Sequence, residues 1–160
     1  LEEDVSILRL GHLGICVSDL DRSIPFYRDL LGFRPISQVK VQGKEADKLL
    51  RLEGVDQRTV FLERDGLRIA LFEYNAPKPE GDGAPRRMNQ LGMAALMLRV
   101  DDLDATLEPF RKAGVRILED TYSAHPSFRS KLVFLCDPDG TLIELIEMPG
   151  DLYAPIGTPL

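Results

Sequence analysis

The chain has 160 residues, 44% hydrophobic and 29% charged, a balance that suits one soluble unit with an apolar core. A formal net charge of −6 argues against nucleic-acid or anionic-membrane partners, which an acidic surface repels. No apolar run approaches the ~20 residues of a membrane span and no secretory pattern opens the chain, so a cytoplasmic protein is expected.

In chain order, "GHLGICVSDLD" (Gly11–Asp21) reads as a strand ending in an acidic turn. The helical pattern "DRSIPFYRDLLGF" follows, with Asp or Ser placed to cap its start and a glycine near its end. Phe26, Tyr27 and Phe33 read as core, and Pro25 predicts a late start or a kink. Next come the strand-like "RPISQVKV" and an insertion, "GKEADKLLRLEGVDQ", read as a short helix and loop. "RTVFLERDGLRIALFEY" then reads as two strands around an Asp-Gly turn, whose residues tolerate positive φ. "NAPKPEGDGAPRRMNQLG", rich in Pro and Gly, reads as a linker.

The order then repeats. "AALMLRVDDLD" is a strand and acidic turn, "DATLEPFRKAGV" a helix containing Pro109, "VRILEDTY" a strand, and "KLVFLCDPDGTLIELIEM" a pair of strands around a second Asp-Gly. Each half is therefore βαβββ. The reading divides a single 1–160 domain into modules at 7–74 and 93–148, a linker at 75–92 and a tail at 149–160, extended or loosely docked. Four strands and one helix leave a sheet face open, so the halves are expected to pair. Cys16 and Cys136 lie in apolar runs without metal or redox spacing and are expected as buried, reduced thiols.

"RDGLRIALFE" and "PDGTLIELIE" nearly match, yet Glu144 in the second stands where the first has Ala70. With "GHLGICVSDLDRSIPFYRDLLGF" and "RVDDLDATLEPFRKAGV", these phrases resemble the vicinal-oxygen-chelate superfamily of glyoxalases, epimerases, extradiol dioxygenases, and fosfomycin- and bleomycin-resistance proteins. The resemblance implies an α+β fold, two paired βαβββ modules forming a curved mixed sheet around a cleft. It also implies a divalent metal held by the first and last strand of each module. Those positions fall on His12, Ala70, Ala95 and Glu144. Alanine has no lone pair to give, so the expected cofactor is none, or a divalent metal held weakly by His12 and Glu144. His125, in "SAHPSFRS", is read as a solvated loop histidine.

Residues two apart on a strand share a face, so the implied cleft also takes Arg68, Phe72, Met97 and Arg99. These, with Ala70 and Ala95, are the candidate substrate-binding residues. Glu144 and His12 are the candidate catalytic pair. A carboxylate among apolar walls has a raised pKa and can take and return a proton next to a carbonyl. His12 could polarise the carbonyl oxygen, and Arg68 or Arg99 could hold a carboxylate or the developing oxyanion. The reading is a glyoxalase-like lyase, isomerase or epimerase acting on a small carbonyl compound. Its alternative is a non-catalytic binder of apolar small molecules, of the drug-sequestering kind. A homodimer is expected.

Overall fold

Each half of the chain begins with a strand whose acidic turn becomes a helix cap. The computed structural model describes residues 8–150; the tail assigned above therefore lies, from 151 onward, outside the described residues. Strand β1 (Leu13–Val17) leads to helix α1 (Leu20–Pro25), where Asp19 Oδ1 accepts the N–H groups of Asp21 at 2.8 Å and Arg22 at 3.3 Å. Strand β2 (Arg34–Gln42), helix α2 (Lys44–Leu50), β3 (Asp56–Arg64) and β4 (Leu67–Ala76) complete the first half. The second half runs β5 (Leu96–Val100), α3 (Leu103–Lys112), β6 (Ile117–His125), β7 (Ser130–Cys136) and β8 (Leu142–Glu147). Asp102 caps α3, accepting the Ala105 N–H at 2.9 Å.

Each half forms its own four-stranded mixed sheet, ordered β1-β4-β3-β2 and β5-β8-β7-β6. The first strand of each runs parallel to the last, and the other pairings are antiparallel. The chain divides into two compact units, Leu1–Glu80 and Gly81–Leu160. The architecture is the expected α+β βαβββ pattern written twice, with α2 as the inserted helix of the first unit.

The two helices differ by one residue, and the difference is local. After α1 the helix widens into a π-turn over Phe26–Leu30, with the Leu31 N–H donating to the Phe26 carbonyl at 3.2 Å. The Phe33 N–H then reaches back to Tyr27 at 2.9 Å, where the corresponding bond in the second unit joins Val115 to Phe110 at 3.0 Å. An extra residue is absorbed as a bulge so that both halves leave their helix at a positive-φ glycine, Gly32 or Gly114. The break expected at the prolines occurs at Pro25, the last residue of α1, whereas α3 runs on through Pro109.

Helix α1 packs on β4 and α3 on β8. Leu20, Tyr27, Leu62, Ile69 and Leu71 are fully buried in the first unit, and Leu103, Leu107, Leu135, Ile143 and Leu145 in the second. Phe26 and Phe33 are buried as expected.

Two expectations need correction. Cys16 is exposed rather than buried, because it lies on edge strand β1 and alternates with Val17, which is buried; Cys136 is buried, and neither cysteine forms a disulfide. The Asp-Gly pairs also differ. Asp65 and Gly66 both have positive φ and make the expected two-residue turn. Asp137–Thr141 instead form a longer loop, in which Asp137 Oδ1 accepts the N–H groups of Asp139 at 3.0 Å and Thr141 at 2.7 Å. Pro138 holds its φ near −65°, which fits this loop rather than a turn with two positive-φ residues.

Candidate functional site

Two glutamates orient the sheets. The Leu20 N–H donates to Glu73 Oε1 at 3.4 Å, and the Leu103 N–H donates to Glu147 Oε2 at 2.9 Å. Each carboxylate thus lies on the helix-covered face and meets a free amide at a helix start. Side chains alternate along a strand, so Ala70 and Phe72 on β4, and Leu142, Glu144 and Ile146 on β8, belong to the opposite face.

In the first unit this face is built by register. Ala70 is opposite Gly14 on β1 and Phe61 on β3; Phe72 is opposite Cys16 and Thr59. Ala70 is fully buried. An added Cβ at Gly14 would collide with the Phe72 ring, so glycine there is what lets that ring lie across β1. His12 stands just before β1, exposed, with its ring edge-on to Phe61 at 5.3 Å and to Phe72 at 6.4 Å. Arg68 is exposed, in register with Glu63. The structure thus places His12, Arg68, Ala70 and Phe72 along one face of this unit.

That face also carries a buried polar pair that sequence reasoning missed. The Thr59 hydroxyl donates to Gln57 Oε1 at 3.0 Å, with Gln57 only 3% and Thr59 2% exposed. The two-residue spacing is the available signal, hidden because Gln57 reads as the end of the inserted loop while β3 already begins at Asp56.

In the second unit Glu144 is opposite Met97 on β5 and Phe134 on β7, with Leu142 and Ile146 beside it on its own strand. It is half-buried, and removal from water pushes its carboxyl above the ordinary glutamate range, with no cation opposing the shift. Met97 is largely exposed, and Ala95 stands two residues before it, ahead of β5. Arg99 is opposite Ile146, on the Glu144 face, and its Nη2 donates to the Met148 carbonyl at 3.1 Å. His125 is exposed as expected, but it is the last residue of β6, paired with Ser130, rather than a loop residue.

Catalytic metal sites in proteins are normally built from three or more side-chain donors. Of the four positions implied above, Ala70 and Ala95 have none to offer. Among the described residues no group of three or more His, Cys, Asp or Glu is arranged to hold a metal ion. The donor set does not fit a resident catalytic metal.

Residues 9–145 match the family model for the Glyoxalase/Bleomycin resistance protein/Dioxygenase superfamily. The chain belongs to this superfamily. A probable lactoylglutathione lyase of Vibrio parahaemolyticus is 30% identical over 141 residues, covering 87% of this chain and 90% of that one. A solved glyoxalase family protein from Bacillus cereus shares the fold with a TM-score of 0.78 at 22% identity, covering 94% of this chain and 100% of that one. The fosfomycin resistance protein FosX of Listeria monocytogenes, solved with Mn(II) and sulfate, gives a TM-score of 0.57 at 20% identity, covering 89% and 93%. Superfamily membership fixes the scaffold and leaves the reaction to the side chains, because one scaffold hosts many chemistries.

Proposed function

We propose that this protein is a glyoxalase-like enzyme that moves a proton next to the carbonyl of a small molecule, without a resident metal. The observation that carries the reading is Glu144, a carboxylate on the face opposite α3, between Met97 and Phe134, with its pKa raised by desolvation. A carboxylate of this kind is a better base than one in water, and it also holds the proton long enough to return it. It would take a proton from the carbon beside the carbonyl, leaving an enolate. Return of the proton to the opposite face of that carbon makes the step an epimerisation; where that carbon carries a hydroxyl, return to the former carbonyl carbon, with the hydroxyl proton passing to the other oxygen, makes it an isomerisation.

His12, in the first unit, is proposed separately as a group able to polarise a carbonyl oxygen. Its support is an exposed imidazole placed edge-on against Phe61 and Phe72. A homodimer is proposed with it, to be read from the mass in solution. Relatives named lactoylglutathione lyase favour chemistry over mere binding. The Glu144→Gln variant tests the reading: turnover of a carbonyl substrate should fall about 10²–10⁴-fold, the usual contribution of a general base, with affinity little changed. Retained turnover would remove Glu144 from the chemistry.

A second reading, sequestration of apolar molecules, draws on one feature of the first unit: Gly14 and Ala70 face each other beneath aromatic rings, small residues beside apolar walls. Tight binding of an apolar compound with no proton exchange would favour it.

A further inference from the structure

The second unit contains a cation whose partner is missing. Two cations on its helix face, Arg111 and Lys131, are matched. Arg111 pairs with Glu119 at 3.2 Å and with Glu108 at 3.3 Å, and Lys131 pairs with Asp104 at 3.1 Å and Glu147 at 3.2 Å. Arg99, on the opposite face, makes no ion pair among the described residues. Its Nη2 is tied to the Met148 carbonyl at 3.1 Å, and its Nε is buried with no hydrogen-bond partner. Nη1 is neither sealed nor bonded, so the end of the guanidinium remains open.

A half-buried guanidinium cannot shed its proton to escape the cost of lost hydration. The Met148 carbonyl compensates it in part, and an anion at the open end would do so more strongly. Glu144 is not that anion: its carboxyl is moved upward by desolvation alone, whereas a facing guanidinium would have drawn it down. In the observed register Arg99 is the diagonal neighbour of Glu144, since Met97 is opposite Glu144 and Arg99 opposite Ile146. One strand spacing and two residues of rise put their backbones about 8 Å apart, a distance that a few bonds of a ligand span. The Met148 carbonyl already fixes the guanidinium, so little side-chain freedom is lost when an anion arrives.

We infer that Arg99 is an anion-binding subsite that selects a carboxylate-bearing carbonyl compound, such as a 2-oxo acid, with its carboxylate on the guanidinium and its reacting carbon toward Glu144. This rests on the Glu144 face being the ligand face. Arg68 is the weaker candidate for the role, because it is exposed and its register partner is the carboxylate Glu63.

The probes are 2-oxobutyrate and its neutral methyl ester, titrated against the intact chain by ¹H–¹⁵N NMR. The acid should bind about tenfold more tightly than the ester, the scale of a charge-assisted pair, and should shift the Arg99 side-chain resonance. Arg99→Met should remove that preference and leave ester affinity unchanged. Arg99→Lys, which keeps a charge without the planar fork, should retain part of it and covers the case in which the methionine variant fails to fold. Glu144→Gln should keep the preference while losing proton transfer, so loss of the base and loss of the subsite are read separately. Equal binding of acid and ester, no binding of the acid, or an equal loss of both in the Arg99 variants would overturn the inference.

Discussion

Glu147 Oε2 accepts the Leu103 N–H at 2.9 Å, joining the end of β8 to the start of α3. Glu73 repeats the contact with Leu20 in the first unit, at 3.4 Å. The partners repeat too: Arg58 pairs with Glu73 at 3.1 Å and Lys131 with Glu147 at 3.2 Å, each from the neighbouring strand. The internal repeat therefore extends from sequence to a shared device, a carboxylate that ties a helix start to a sheet and is held by a cation. It also determines which face carries Glu144, three residues away.

Removing this tie should cost stability without touching the ligand face. Glu147→Ala leaves the Leu103 amide without its acceptor and Lys131 with Asp104 alone, and should destabilise by about 1–2 kcal/mol. Glu147→Gln should recover part of that loss by keeping an acceptor. Urea denaturation of the three proteins at one pH checks the order.

Glu144 should act in the opposite sense. Its folded pKa lies above the unfolded value of about 4.3, so folding disfavours its charged form. Stability from this group is greatest at low pH, where it is protonated in both states, and falls as pH rises from the unfolded toward the folded pKa. Above that window the penalty is constant. Glu144→Gln should therefore be the more stable protein at pH 7, and the difference should vanish below about pH 4. Thermal melts of both proteins across this range test the sign, and a variant less stable at pH 7 would contradict it.

Gly14 and Phe72 should behave as a coupled pair. A Cβ at position 14 meets the Phe72 ring, so Gly14→Ala must push that ring aside, at a cost of about 1–3 kcal/mol. Phe72→Leu alone should also destabilise by loss of apolar contact. Combined, the two should cost less than their sum, because the smaller side chain makes room for the new methyl. Denaturant midpoints of the four proteins complete the cycle, and strict additivity would show that the ring does not occupy this place.

Much of this architecture was legible because it rests on periodicity and turn chemistry. The Asp19 and Asp102 caps, the Asp65-Gly66 hairpin and the repeated βαβββ order follow from residues whose local preference agrees with the fold. The misses arise where tertiary context decides. The π-turn at Phe26–Leu30 shows only as one extra residue between two otherwise matching helices. Cys16 looks like core because an edge strand and a central strand share the same apolar spelling. The placement of Glu144 opposite the helix depends on Glu147, whose contact with Leu103 joins residues far apart in the chain. Gln57 and Thr59 belong to the same group, since only the folded sheet buries them together.

The central claim is that Glu144 moves a proton beside a carbonyl. Its most direct measurement is deuterium uptake at C3 of 2-oxobutyrate, followed by ¹H NMR in deuterium oxide with the wild-type chain and Glu144→Gln side by side. The account predicts exchange well above the buffer rate with the wild type and loss of that excess in the variant. Exchange that persists undiminished without the carboxylate, or a wild-type rate no faster than buffer, would contradict it.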